Sequence, residues 1–147
     1  MQLAFIGIPG IPMVEPGDDL LELIDAGLAN LGESIQDGDV LVLAQKIVSK
    51  AENRYLDLRT LEPTPEAEAL AVEVDKDPRK VQAILDESVE VVRKRPGVLI
   101  VEHKLGFVQA NAGIDQSNIE GDPDDPEAIC LLLPVEPDAS ARALREA

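Results

Sequence analysis

Residues 98–120, VLIVEHKLGFVQANAGIDQSNIE, carry the strongest local structure signals in this chain. An apolar run at residues 98–101 is followed by a turn at residues 104–106 and by a second β-prone run at residues 107–110. Two such runs on either side of a glycine-bearing turn predict a β-hairpin.

Small and polar residues replace the strand pattern immediately after this hairpin, in the segment NAGIDQSN. Gly113 permits a backbone conformation that other residues resist, while Asp115, Ser117 and Asn118 supply oxygen and amide groups. One carboxylate close to an amide and a hydroxyl suits a hard cation that also carries phosphate oxygens. The alternative is an Asx-type turn, in which Asp115 and Asn118 bond their own backbone, and the spacing alone favours that turn.

The composition is that of a globular protein. The chain has 147 residues, the size of one ordinary domain, with 45% hydrophobic and 29% charged residues. No apolar run approaches the length of a membrane span, and the N-terminus lacks the basic and long apolar regions of a secretory signal. The single cysteine, Cys130, lies in an apolar run and is expected to be a buried structural thiol. These features favour a cytoplasmic location.

The chain is strongly acidic, with 29 Asp and Glu residues against 13 Lys and Arg and a formal net charge of −16. This charge argues against nucleic-acid binding, which needs a basic surface to displace counterions. It also repels nucleotide triphosphates at long range. A phosphate site in this protein must therefore be built locally, from lysine, backbone N–H groups and metal.

The first third of the chain is expected to alternate strands and helices. Residues 2–8 predict a strand, and residues 11–17, which contain two further prolines, predict an extended segment. Asp18 or Asp19 can cap a helix whose apolar stripe is followed by Gly32 as a stop. That helix is expected to serve packing.

Residues 40–43 predict a buried strand, followed by a turn and a brief helix over residues 44–52. Lys46 and Lys50 lie in this segment. Ligands often gather beyond the ends of strands in open sheets, so the two lysines are candidates for binding. The alternative is that both are solvated, as lysines usually are.

Cap and periodicity signals predict the remaining elements. The acidic residues 121–127 are not expected to bind calcium, because prolines interrupt them and the glycine and glutamate positions of an EF-hand loop do not match. The expected elements are a strand at residues 54–58, a helix at residues 65–74 capped by Thr64, a helix from Asp77 to about Lys94, an exposed acidic loop at residues 121–127, a strand at residues 129–133 and a last helix capped by Asp138.

Two common nucleotide-binding motifs are absent from the sequence. There is no G-x-x-x-x-G-K-[ST] loop, and Gly7 and Gly10 flank a proline instead of opening a helix. His103, the only histidine, is expected to be a hairpin-turn residue and not part of a catalytic triad.

Three separated blocks resemble a known family. They are GIPMVEPGDDL, GDVLVLAQKIVSKAE and NAGIDQSN, and the likeness extends from Ile8 into LLLPVEPDASARALR. In this order they are similar to the coenzyme F420-0:L-glutamate ligases, the γ-glutamyl ligases of the deazaflavin coenzyme. The resemblance implies an α+β fold with a mixed or antiparallel sheet and flanking helices. It also implies a homodimer.

The resemblance further implies a reaction. GTP phosphorylates the terminal carboxylate of coenzyme F420-0, and the α-amino group of L-glutamate then displaces the phosphate. Such phosphoryl transfer depends on in-line placement and on cancellation of charge by Mg²⁺ or Mn²⁺. A monovalent cation such as K⁺ is implied as a further cofactor, and the partners are small molecules, with no membrane and no nucleic acid.

Individual positions take their implied roles from the same resemblance. Asp115 corresponds to the metal-binding aspartate of the family. Lys50 corresponds to a lysine that contacts the nucleotide as a point charge. Gln45 and Lys46 occupy a further nucleotide position at which the side chains differ from the family's pattern. The nucleotide-binding residues implied are Ile11, Pro12, Met13, Val14, Gln45, Lys46, Lys50 and Asn118.

Members of the family are considerably longer than this chain. Their second half carries an Asp-Thr pair that helps to hold the metals, together with a glycine-containing nucleotide segment. Residues 1–147 are therefore expected to be the N-terminal part of such a ligase, either truncated or half of a split enzyme. The alternative is a non-catalytic module that binds a nucleotide, a metal or a partner chain. Asp115, Asn118 and Lys50 favour the ligase, and the missing second ligand set favours the module.

Overall fold

The computed structural model describes residues 3–117, 119 and 122–147. The length predicts one ordinary domain, whereas the contacts between residues form two compact units. The first unit consists of Met1–Arg54 with Pro134–Ala147, and the second of Tyr55–Leu133. Strand pairs in the described residues are antiparallel and helices accompany them, so the predicted α+β class is confirmed.

The regular elements follow one another in this order. They are α1 (Leu20–Leu31), α2 (Gln45–Ala51), β1 (Tyr55–Asp57), α3 (Pro65–Val74), α4 (Pro78–Asp86), β2 (Ser88–Arg95), β3 (Val98–His103), β4 (Val108–Ala110), β5 (Ile129–Leu131) and α5 (Pro137–Glu146), with short 3-10 turns at Leu58–Thr60 and Asn111–Gly113. No helix in the described residues is both long enough and apolar enough to cross a membrane.

Helix α1 of the first unit has the ends that its sequence predicts. The Asp19 carboxylate accepts hydrogen bonds from the backbone N–H groups of Leu21, at 2.9 Å, and Glu22, at 3.3 Å. Gly32 ends the helix in the left-handed region, with φ +72°. A Cβ atom on Gly27, in the middle of α1, would lie 2.4 Å from Cγ2 of Ile8. The chain around Ile8 therefore packs directly against the backbone of this helix.

Two predicted strands do not form in the part of the first unit that the structure describes. Residues 3–8 and residues 40–43 adopt no strand in the described structure, and Gln2 of the first predicted strand lies outside the described residues. The two segments have strong β-forming sequences, but a strand persists only when a neighbour pairs with its backbone. The described residues provide no such neighbour for either segment, so both predictions are wrong for this structure.

The second unit contains both sheets. One sheet has three strands in the order β2-β3-β4, and the other pairs β1 with β5. Burial alternates along β3, so that Leu99, Val101 and His103 face the interior. The predicted hairpin at residues 98–110 is therefore confirmed, with β3 and β4 as its two arms.

The hydrophobic core of the second unit is almost wholly aliphatic. Helices α3 and α4 contact each other and β2. Each helix begins as predicted, since Oγ1 of Thr64 accepts from the N–H of Ala67 and the Asp77 carboxylate accepts from the N–H of Arg79. The buried core consists of Leu58, Ala67, Leu70, Ala71, Val74, Val81, Ala83, Ile84, Leu99, Val101, Ala112, Ile114, Cys130 and Leu132.

Two predicted helix boundaries are wrong. Helix α4 ends at Asp86 and not near Lys94, because residues 88–95 pair with β3 as strand β2. Valines occupy positions 89, 91 and 92, and β-branched side chains favour a strand when a partner is present. The last helix begins at Pro137 after Glu136, so Asp138 lies in its first turn and is not its cap.

Candidate functional site

The backbone of Asp115 is fixed by strand β5. Its N–H donates to the carbonyl oxygen of Leu131 at 3.1 Å, and the N–H of Leu131 donates back to the carbonyl oxygen of Asp115 at 2.8 Å. This reciprocal pair continues the β1–β5 sheet by one bridge. The predicted metal-binding aspartate is therefore held by the sheet and not by a loop alone.

The Asp115 side chain forms the predicted Asx-type turn. Its Oδ1 atom accepts from the backbone N–H of Ser117 and from Oγ of Ser117, each at 2.7 Å. Two donors on one carboxylate oxygen fix the rotation of the carboxylate plane. The turn and the metal site are alternatives in the sequence, and these two hydrogen bonds show that the turn forms on the Oδ1 side of the carboxylate.

A left-handed turn leads into Asp115. Asn111, Ala112 and Gly113 have φ angles of +52°, +53° and +70°. Left-handed conformations are costly for residues with a Cβ atom, and such strain tends to persist where surrounding contacts enforce it. Ala112 is completely buried, and a Cβ on Gly113 would lie 2.1 Å from Nε2 of Gln109. Gly113 thus supplies the backbone freedom that the sequence predicts.

A polar network beside Asp115 was not predicted. The ammonium group of Lys80, on α4, donates to Oε1 of Gln116, and Nε2 of Gln116 donates to the carbonyl oxygen of Glu127 at 2.5 Å. Gln116 thereby joins helix α4 to the acidic loop. Because Lys80 and Gln116 are 36 positions apart, no local sequence pattern connects them.

Arg59 holds the acidic loop at a second point. Its guanidinium lies 2.7 Å from the Asp57 carboxylate and 2.5 Å from that of Asp122. The hydrogen bond from Arg59 lowers the pKa of Asp57. The pKa of Asp122 is lowered first by the backbone N–H of Asp124 and then by Arg59. Both carboxylates are consequently held in their charged forms.

In the first unit, the structure brings two predicted nucleotide positions together. The ammonium nitrogen of Lys50 lies 3.2 Å from the sulfur of Met13. Lys50 is only 6% exposed, and a lysine is rarely this buried unless its environment engages the charge. The N–H of Gly17 donates to the carbonyl oxygen of Ala51 at 2.9 Å, which fastens the chain after Met13 to the end of α2.

The other implied nucleotide positions are less uniform. Gln45 directs its amide along α2, donating from Nε2 to Oγ of the buried Ser49 at 2.5 Å. Lys46 is half-buried on the same helix. Of the segment that precedes Gly17, Val14 is buried and Met13 exposed, while Ile11 is half-buried and Pro12 exposed. Asn118 lies outside the described residues.

The implied residues are divided between the two units. Ile11, Pro12, Met13, Val14, Gln45, Lys46 and Lys50 belong to the first unit, and Asp115 belongs to the second. Within the described residues, no group of three or more His, Cys, Asp or Glu side chains is arranged to hold a metal ion. Asp115 fits a smaller role, since Mg²⁺ takes one or two protein carboxylates when phosphate oxygens complete its shell.

The surroundings of Cys130 and His103 indicate structural roles and not catalytic ones. Burial raises the pKa of the Cys130 thiol to about 11, which leaves it protonated and a poor nucleophile at neutral pH. His103 accepts from the N–H of Leu105 at Nδ1, at 2.9 Å, and stacks on Phe107 with the ring centres 5.3 Å apart. His103 therefore fastens the hairpin turn, as predicted, from a buried position at the end of β3.

Comparison with known proteins gives a consistent result. A family model described as F420-0:γ-glutamyl ligase matches residues 10–147. The coenzyme F420:L-glutamate ligase of Methanothermobacter thermautotrophicus is 42% identical over 151 residues, covering 100% of this chain and 58% of the relative. The ligase of the same name from Methanopyrus kandleri is 46% identical over 90% of this chain and 48% of the relative.

A third relative agrees with the other two. The coenzyme F420:L-glutamate ligase of Archaeoglobus fulgidus is 40% identical over 99% of this chain and 53% of the relative. The chain spans about half the length of the curated relatives it matches. The extent of the family match and the level of identity lead to one assignment: this chain belongs to the F420-0:γ-glutamyl ligase family.

Proposed function

We propose that this chain contributes nucleotide-binding and metal-binding residues to a GTP-dependent ligase that joins L-glutamate to coenzyme F420-0. Membership of the family and the names of its relatives support the reaction class. The relatives are about twice as long as this chain, so the proposal concerns an enzyme to which residues 1–147 supply a part.

The observation that carries the nucleotide half of this proposal is the contact between Lys50 and Met13. The two positions are 37 residues apart in the sequence, yet the ammonium nitrogen and the sulfur are separated by 3.2 Å. Both are positions at which the family resemblance implies nucleotide binding. Their closeness supports one phosphate-binding locality in the first unit.

A positive side chain is needed at this site because the net negative charge of the chain repels phosphate. A formal charge of −16 repels a triphosphate at distances beyond the immediate contacts. Lys50 is a compact positive charge held against the protein, and a partly desolvated charge acts more strongly on a phosphate than one in open water. We assign to Lys50 the role of counter-charge for the nucleotide phosphates.

The reaction proceeds in two transfers. The terminal carboxylate of coenzyme F420-0 attacks the γ-phosphorus of GTP, forming an acyl phosphate and releasing GDP. The α-amino group of L-glutamate then attacks the acyl carbon, expels inorganic phosphate and loses one proton, which leaves an amide. A divalent cation supplies charge cancellation at the phosphates when bound.

Asp115 would hold that cation, Mg²⁺ or Mn²⁺, through its carboxylate. The pairing of its backbone with Leu131 and the two donors on Oδ1 keep the carboxylate in one orientation before any ligand arrives. Such pre-orientation reduces the entropy lost on binding. A homodimer and a requirement for K⁺ belong to the proposal through the family resemblance.

The second candidate function is a non-catalytic module that binds nucleotide, metal or a partner chain. Two observations favour it. Among the described residues no group of three or more His, Cys, Asp or Glu side chains could hold a metal ion, which leaves Asp115 as the one implied ligand. The chain also matches only about half of each relative. Catalysis by the assembled enzyme separates the two candidates, because a module of this kind would bind without turning over.

The binding test is isothermal calorimetry of GDP or GTP with Mn²⁺ on the wild-type chain and on Asp115→Asn. Asparagine keeps an Oδ1 acceptor for Ser117, so the turn and the fold should survive, while the charge on the cation ligand is lost. We expect metal-dependent nucleotide binding to disappear in Asp115→Asn.

The matched control is Asp124→Asn, which removes the same charge from an exposed position in the nearby acidic loop. This variant should bind as the wild type does. Unchanged affinity in Asp115→Asn, with the circular dichroism of the wild type, would show that Asp115 is not the metal ligand.

A further inference from the structure

Two apolar segments of the first unit are mostly exposed, with only Ile8 and Leu43 half-buried. They are residues 3–8, LAFIGI, and residues 40–43, VLVL, and they are called the two apolar segments below. Phe5 is 91% exposed, and Val40 and Val42 are 83% and 85% exposed. Neither segment contains a charged residue, although 29% of the chain is charged. Contiguous apolar exposure of this kind marks an interaction site.

The backbone of the two apolar segments, residues 3–8 and 40–43, also forms no backbone–backbone hydrogen bond among the described residues. Both sequences predict strands, and unpaired strand-forming backbone is a template for pairing with another strand. The missing partner must therefore bring β-structure and apolar side chains.

The lengths of the relatives indicate what that partner is. The Methanothermobacter thermautotrophicus relative extends over about two fifths of its length beyond the region that this chain matches. The two apolar segments lie within the matched region, and one of them is part of the block GDVLVLAQKIVSKAE. The relative therefore contains additional polypeptide, outside the matched region, that is available to pair with the two apolar segments.

We infer that the two apolar segments are docking strands for the part of the family's chain that lies outside the matched region, whether that part continues the same polypeptide or comes as a second chain. Pairing satisfies the backbone N–H and C=O groups of both segments and removes Phe5, Val40 and Val42 from water. This inference requires the family relationship but not the ligase chemistry.

The test is co-expression of this chain with the affinity-tagged remainder of the Methanothermobacter thermautotrophicus relative. We expect the wild-type chain to co-purify with the remainder at equal stoichiometry. Double substitution of Val40→Asp and Val42→Asp should reduce recovery at least about tenfold, because a charge on an apolar docking strand is buried without a partner. These positions are exposed in the chain by itself, so the double variant should keep the wild-type circular dichroism.

Val72→Asp is the matched control. Val72 is 85% exposed, as Val42 is, but it lies on helix α3 in the second unit. This variant should be recovered as well as the wild type. Failure to capture the wild-type chain, or equal loss of recovery in Val72→Asp and in the double variant, would overturn the inference.

Hydrogen exchange of the captured complex provides a second readout. Amides of residues 3–8 and 40–43 should exchange at least about tenfold more slowly in the complex than in the chain alone. Light scattering of the chain alone tests the competing occupant, a second copy. A dimer whose apolar segments are already protected would overturn the inference.

Discussion

At the scale of single residues, the approach to Asp115 combines backbone strain with tight packing. Asn111, Ala112 and Gly113 are consecutively left-handed, and Ala112 adopts this strained conformation while completely buried. Oδ1 of Asn111 and Nε2 of Gln109 are buried with no hydrogen-bond partner among the described residues. The packing of the second unit must offset the free-energy cost of the left-handed backbone and of the two unpartnered polar atoms. All of these features lie within six residues of Asp115 in the sequence.

Gly113→Ala should reveal this packing. Its left-handed φ costs about 1 kcal/mol with any Cβ, and the new methyl group would meet Gln109 and Leu133. We expect the free energy of unfolding to fall by about 2–4 kcal/mol in urea denaturation. Gly97→Ala is the control, because Gly97 has φ +77° with nothing within 4 Å, so its loss should be about 1 kcal/mol. Equal losses in the two variants would remove the argument from crowding.

The residues of the candidate site were only partly predictable. Asp115, Ser117 and Gly113 stand close together in the sequence, so their turn follows from local chemistry. The support that Lys80 gives to Gln116 spans 36 positions and depends on how α4 packs in the second unit. Local patterns do not encode such distant contacts, and the burial of Lys50 was missed for the same reason.

At the scale of elements, both ends of α1 and the starts of α3 and α4 were predictable, whereas the end of α4 and the start of α5 were not. Asp19 and Gly32 bound α1, and Thr64 with Pro65 opens α3, because capping is decided by a few neighbouring atoms. Strand β2 was not predictable in this way. Its residues continue the apolar spacing of α4, and only the ladder with β3 selects the extended form.

The ion pairs of Arg59 with Asp57 and Asp122, called the Arg59 clamp below, connect the 3-10 turn at Leu58–Thr60 to the acidic loop. In Arg59→Gln, the pKa of Asp57 should rise toward its ordinary value of 3.8, because the hydrogen bond from Arg59 is the main cause of its depression. The pKa of Asp122 should rise less, since the backbone N–H of Asp124 remains. Carboxyl titration by NMR measures both values.

The sign of the stability effect follows from these pKa values. A carboxylate with a lower pKa in the folded state than in the unfolded state stabilises the fold above about pH 4, and this contribution is lost as the pH falls further. Arg79→Gln is a parallel variant at a second arginine–aspartate pair. The hydrogen bond from Arg79 is the main cause of the lowered pKa of Asp77, so that pKa should rise in this variant. An unchanged pKa for Asp57 in Arg59→Gln would contradict the Arg59 clamp.

At the scale of the whole molecule, charge and unpaired apolar surface dominate. The family resemblance implies the α+β class, and the sequence itself predicts its capped helices and its hairpin because those signals are local. The sequence could not predict that residues 3–8 and 40–43 would stay unpaired. Their β propensity is real, but pairing depends on partners that the described residues do not contain.

Salt should stabilise this protein. A formal charge of −16 produces self-repulsion in the compact state, and ions screen it. We expect the melting temperature to rise by about 2–5 °C between 20 mM and 500 mM potassium chloride. Potassium glutamate at the same ionic strength should produce a similar rise. A flat or falling melting temperature across the series would count against net repulsion as a controlling term.

The central claim is that this chain supplies the Asp115-bearing part of a glutamate ligase. The most direct measurement joins residues 1–147 to the remainder of the Methanothermobacter thermautotrophicus relative in one polypeptide and assays it with GTP, Mn²⁺, L-glutamate and coenzyme F420-0. We predict glutamylated product from the joined chain and none from residues 1–147 alone or from the joined Asp115→Asn variant. A folded joined chain that makes no product, under conditions in which the intact relative does, would contradict the claim.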